Sequence, residues 1–374
     1  MNKTSEITTK TERLARMLAE QNLGGVLLRG QHNFSWLTAG GSSMVDLSSE
    51  TGTAALLVRR DGKRFVLANR IEMPRMLAEE VSEADFEPIE FPWEEERSSS
   101  TAVANRATAL LEGSGGLASD YFTDATIPAI EQHVAQCRYE LLPGELERFR
   151  QLGSDAGVAL GEVARSVTPG QTEIQIAAQT QDTFAQRGMT SVVTLVAADE
   201  RLKQFRHPVP TERIWKKILM IVVCARRGGL IASLTRIVCI GPVPDELEQR
   251  TRAAAQVDAR MLAATRPGAR GSDLYRVAAD GYRAEGFDGE ERLHHQGGAA
   301  GYRTRDWVAH PACTETVRVN QAFAWNPSIT GTKVEETTVV LEDGFEVITS
   351  SPNWPSVSVT IDGRDYLLPG VLSR

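Results

Sequence analysis

At 374 residues the chain is longer than one modest core can fill, so two domains are expected. A formal charge of −8 excludes a nucleic-acid-binding role, because phosphate contact needs a concentrated basic face and short clusters such as Arg226-Arg227 do not make one. No apolar run approaches the roughly 20 residues that span a bilayer; the longest, Ile218 to Ala225, is strand-length. The N-terminus lacks a hydrophobic signal core and reads as a short polar tail. Cys137, Cys224, Cys239 and Cys313 are scattered without zinc or disulfide spacing, so buried, reduced thiols and a cytoplasmic location are expected.

In chain order, residues 9–22 carry Leu14, Met17 and Leu18 at helical spacing, and 24–29 form a short apolar strand. Residues 53–69 read as a hairpin around Asp61-Gly62. Helices are expected at 70–80, 101–112 and 125–136, with strands near 86–91 and 116–119 and a surface loop at 91–101. Strands alternating with helices make residues 1–142 an α/β domain. Pro143-Gly144 marks a change of texture, and the domain boundary is placed there. Leu146, Phe149, Leu152, Ala156, Leu160 and Val163 then give a long helix its apolar face. Thr172 is a candidate cap for a second helix, with Glu173 in its first turn. Strands are expected at 191–197, 218–225 and 229–240, followed by a helix opened by Pro244. The stretch 267–287 repeats the turn-then-helix pattern of 169–188, so residues 143–374 are expected to contain two similar halves.

The richest polar chemistry lies between residues 291 and 336. His294 and His295 run into Gly297 and Gly298, where backbone can pass close to a ligand because no Cβ intervenes. Trp325-Asn326-Pro327 ends an apolar run, and Glu335 follows.

From residue 143 to 349 the chain resembles the "pita-bread" superfamily of methionine aminopeptidases, prolidases, aminopeptidase P and creatinase. The resemblance is carried in order by TPGQTE (168–173), HPVPTER (207–213), VVCARRGGLIASLTRIVCIG (222–241), HHQGG (294–298), FAWNP (323–327) and TKVEET (332–337). The α/β first domain and the length point to the prolidase–creatinase branch. The fold class implied is α+β: a pita-bread domain with pseudo-two-fold halves behind a creatinase-type N-terminal domain, usually as a homodimer.

The peptidases of this superfamily hold two divalent metals with two Asp, one His and two Glu. The matching positions here are Val222, Ser233, His295, Asn326 and Glu335, so one imidazole and one carboxylate remain. Hard divalent ions need anionic oxygen ligands. No dinuclear centre and no other cofactor are therefore expected. Creatinase, in the same superfamily, works without metal, and the resemblance implies a metal-independent hydrolase or lyase acting on a small carbon–nitrogen compound. His295 is then the general acid/base and Glu335 its charge partner. His207 binds a leaving group or oxyanion, and Tyr302, seven residues after His295, donates a hydrogen bond to developing charge.

Asn326 and Ser233 shape the pocket, and Arg303, Arg305 and Lys333 are candidates for a substrate carboxylate clamp. Loss of carboxylates favours an anionic or zwitterionic ligand. His294 is expected on the opposite face of a strand, in a structural role. Thr235 and Arg236 are expected to tie the hairpin to the strand that bears Glu335. Residues 31–41 resemble the stretch that reaches the partner's pocket in creatinase and prolidase dimers, so His32, Asn33, Phe34 and Trp36 either line that entrance or form a buried aromatic turn. Two other readings compete: a single-metal hydrolase using His207, His295 and Glu335, and a non-catalytic binding domain.

Overall fold

The computed structural model describes residues 1–113 and 115–374. The chain divides into two compact units, Met1–Glu145 with Gly228–Leu230, and Leu146–Arg227 with Ile231–Arg374. The expected boundary at 142/143 falls three residues earlier, at the first residue of the continuous helix Pro143–Ser166.

The first unit is a five-stranded mixed sheet with strand order 87–91, 64–69, 51–59, 23–30, 116–119. Its core joins Leu27, Leu57, Phe65, Leu67 and Phe91 to Val103, Ala107 and Leu111 of the helix Ala102–Ala109 and the segment beyond it. Gly62 takes φ +86°, the left-handed conformation that the tight Asp61-Gly62 turn requires.

Three expectations need correction. The N-terminal tail is helical from Lys3, because the Asn2 side chain accepts from the Ser5 N–H and caps the first turn. The segment 91–101 contains a short helix, Trp93–Ser98, with three glutamates in its first turn. The helix expected at 125–136 begins only at Glu131; Pro128 lies in the preceding segment, where the Asp124 side chain holds a local turn by accepting from the Thr126 N–H and O–H.

Phe34 and Trp36 are fully buried on the helix Gln31–Leu37. The Lys10 ammonium sits 5.7 Å from the Trp36 ring centroid, so the buried aromatic turn is the arrangement found and neither ring lines an entrance.

Among the described residues the second unit carries two larger sheets and two two-stranded ones, 328–329 with 332–333 and 356–361 with 364–369. One larger sheet has strand order 371–373, 230–239, 218–227, 190–198, and the other 307–308, 297–300, 322–325, 336–341, 344–347. Helix Glu173–Ala185 follows helix Pro143–Ser166 and is tied to its end by the Gln179 Nε2 donation to Ser166 Oγ, and helix Asp245–Ala264 packs on Gly271–Ala284. Thr172 caps its helix through a reciprocal box with Gln175. The two sheets are stitched where the Thr235 N–H donates to the Glu335 carbonyl (3.2 Å) and the Ser233 N–H to the Thr337 hydroxyl (2.8 Å).

Gly297 and Gly298 serve strand packing rather than ligand approach. A Cβ on Gly298 would lie 2.0 Å from the Trp307 carbonyl oxygen, and one on Gly297 2.1 Å from that of Ala324. Gly298→Ala is expected to lower stability by about 1–3 kcal/mol, the usual cost of overpacking, read from urea unfolding.

Candidate active site

All the site residues described here lie in the second unit. Glu335 is 2% exposed and immediately precedes the strand Glu336–Leu341. Its carboxylate meets the Lys333 ammonium at 2.8 Å and Arg305 Nη2 at 3.4 Å, and accepts from the Thr235 hydroxyl at 2.6 Å. Burial works against ionisation here, yet Lys333 and Arg305 hold the Glu335 pKa below the usual carboxylate value. Lys333 itself is 6% exposed, with Val334 buried between the two charged residues.

The next residue faces the opposite way. Glu336 pairs with Arg236 Nη2 at 2.8 Å and accepts from the Thr349 hydroxyl at 2.5 Å. Burial outweighs these partners and raises its pKa. Arg236 also donates to the Thr235 and Thr349 carbonyls and to Ser351 Oγ, so the Thr-Arg pair ties the hairpin to both glutamates.

Three imidazoles gather beside this pair. The His294 and His295 ring centroids are 4.5 Å apart, and His207 Nε2 lies 3.2 Å from His294 Nε2. The expectation that His294 points away from His295 fails. Both precede the strand Gly297–Ala300, so strand alternation does not apply to them. His294 is fixed from behind: its Nδ1 lies 3.2 Å from Ser328 Oγ, and the Ser328 N–H donates to the Tyr282 hydroxyl, which in turn donates to Gln296 Oε1 at 2.6 Å. His295 Nδ1 accepts from the Gly297 N–H at 3.2 Å, which places the proton of the neutral ring on Nε2.

Burial lowers the pKa of all three rings. Lys333 adds to it in each case, so His294 falls to about 2 and His295, also beside Arg305, to about 4. The rings are neutral at pH 7.

The other expected residues fall as follows. Ser233 Oγ is 3.2 Å from Cys224 Sγ and 3.4 Å from Arg305 Nη1. Cys224 is buried and its thiol pKa is pushed up, which disfavours a thiolate nucleophile. Asn326 is buried, and its Oδ1 has no hydrogen-bond partner among the described residues. Val222 is packed in its strand opposite Leu195. Tyr302 is 2% exposed, its hydroxyl held inside the fold, and Arg303 is half-buried on the bend before Arg305. The sequence reading placed His294 in a structural role; its adjacency to His295 was the one available signal.

The sequence profile of metallopeptidase family M24 matches residues 147–349, more than half of the chain. The chain belongs to family M24. The structure is similar to the prolidase of Pyrococcus horikoshii OT3, with TM-score 0.75 and 15% identity over 91% of this chain and 98% of that one. It is also similar to the N-terminal domain of FACT complex subunit SPT16 from Cicer arietinum, with TM-score 0.71, 10% identity, and 93% and 96% coverage. An uncharacterized peptidase of Bacillus subtilis, YqhT, is 21% identical over 246 residues, 63% of this chain and 69% of that protein. At these identities the structural likenesses establish the two-domain α+β fold with its pita-bread second domain, which both the prolidase and the SPT16 domain share.

The neutral His294 gives a pH signature. Its folded pKa is depressed, so the unfolded chain takes up a proton first as pH falls. Stability is full above the unfolded value of about 6.5 and is lost progressively below it. His294→Gln is expected to flatten the fall in unfolding free energy between pH 6.5 and 4, measured by denaturant titration at each pH.

Proposed function

We propose that this M24 protein is a hydrolase of a small carbon–nitrogen compound that works by proton transfer, without a dinuclear metal centre. The observation that carries the reading is the neutralisation of Glu335: an ammonium and a guanidinium stand where the family's cations would need its carboxylate. The rest of the donor set fits two divalent ions equally poorly. Val222 has no donor atom, the Ser233 hydroxyl is engaged by Cys224 and Arg305, and Asn326 is neutral.

The tautomer of His295 exchanges the roles that the sequence suggests for the two histidines, so that His207 moves the proton and His295 holds the oxyanion. The His295 Nε2–H donates a hydrogen bond to the carbonyl or imine group under attack and holds the charge that develops there. His207, exposed and in contact with His294, takes the proton of the attacking water. The imidazolium so formed returns that proton to the leaving nitrogen, and the C–N bond breaks. Glu335 keeps Lys333 and Arg305 fixed beside the reacting group.

One observation favours a competing reading. The ligating nitrogens of His207, His294 and His295 lie within 4.8 Å of one another, the spacing of a mononuclear metal triad. Against it, the His295 lone pair is on the nitrogen already occupied by the Gly297 N–H, and two cations stand nearby.

Metal analysis and chelation separate the two. The protein as purified is expected to hold well below one metal ion per chain, and turnover on a panel of N-acyl and amidino compounds is expected to survive chelator treatment. His207→Ala and His295→Ala should each lower kcat by about 100-fold or more. Chelator-sensitive turnover with stoichiometric metal would overturn the proposal.

A further inference from the structure

We infer that the pocket selects an anionic substrate, whose carboxylate docks on the Lys333 ammonium and Arg305 beside His207 and His295. This rests on the metal-free reading above and gives it a substrate class. The first argument is a charge balance. The charged groups that act on the three imidazoles are Lys333, Arg305, Arg206 and Glu335. Arg206 is already paired with Glu290. Lys333 and Arg305 therefore share one carboxylate. One positive charge is left over in a largely buried place.

The second argument is a count of unmade hydrogen bonds. An ammonium has three N–H donors. Among the described residues Lys333 Nζ has one partner, Glu335 at 2.8 Å. Arg305 gives Nη1 to the Thr304 carbonyl at 2.5 Å and reaches Glu335 only at 3.4 Å, while its buried Nε has no partner among the described residues. Of these the Arg305 Nε is a buried donor left unmade, which is costly, and more so in a charged group. His295, on which both cations act, adds a further donor at Nε2. An anion with two acceptor oxygens answers the charge and the donors together. A cationic ligand meets two like charges, and a neutral one leaves the excess charge uncompensated.

The probes are N-acetylglycine and its uncharged counterpart N-acetylglycinamide, titrated calorimetrically at low ionic strength into protein of known metal content. N-acetylglycine is expected to bind about tenfold more tightly or better, with a preference that shrinks as sodium chloride is raised. Lys333→Gln and Arg305→Gln each cancel the excess charge and should abolish the preference; Glu335→Gln adds to the excess and should enlarge it.

Equal binding of the two probes, failure of N-acetylglycine to bind, or an undiminished preference in folded Lys333→Gln and Arg305→Gln proteins overturns the inference. If neither variant folds, the wild-type comparison decides alone. Binding is read without turnover, so stoichiometric metal in the same preparation would overturn the metal-free reading and not the ligand preference.

Discussion

The second unit depends on how a single buried carboxylate is satisfied. Removing an ion of this size from water costs several kcal/mol even after relaxation. Glu335 is 2% exposed, so its neighbours must supply that much or its charge could not persist. Lys333 does so from two residues earlier, Thr235 from the adjoining sheet, and Arg305 from the loop that follows the strand Gly297–Ala300. Two of these partners also act where the sheets meet. Thr235 is the residue whose N–H joins the two sheets, and Arg305 touches Ser233 on the same strand. The electrostatic pairing and the junction of the sheets are therefore one feature.

Two consequences follow for the pocket. Burial lowers the pKa of His207, His294 and His295, and Lys333 adds to it at all three rings while Arg305 does so at His295. Glu336, one residue on, takes its charge partners from the other side, with Arg236 and Thr349. Adjacent carboxylates are thus driven in opposite directions, Glu335 below and Glu336 above the ordinary range. Behind them Asp258 is buried, has an oxygen with no partner among the described residues, and has its pKa raised by burial and by both glutamates. The fold keeps negative charge on one carboxylate of this group and discourages it on the others.

Local rules made much of the fold legible. The apolar spacing from Leu146 to Val163 gave one long helix, and the Thr172 cap and the Asp61-Gly62 turn stand where their chemistry places them. The rules failed where distant residues decided the outcome. The N-terminal helix hides its start because its buried face includes Glu6 and Lys10, a polar pair that breaks the apolar stripe and is satisfied by Glu145 and the Trp36 carbonyl. Gly297 and Gly298 read as room for a ligand, but strand neighbours fill that room.

By itself the sequence supplied the candidates for the site: His295 and Glu335 at two of the five positions where the resemblance implies metal ligands, and a cluster of basic residues close by in the chain. Only the tertiary structure decided which of those basic residues serve Glu335, and that His294 and His207 join His295. The reason is physical. Spacing along a chain fixes which face of a helix or strand a side chain occupies, whereas a buried charge is balanced by whatever the fold brings within about 4 Å of it. Here two of those partners, Arg305 and Thr235, come from 30 and 100 residues away, a separation that no local pattern records.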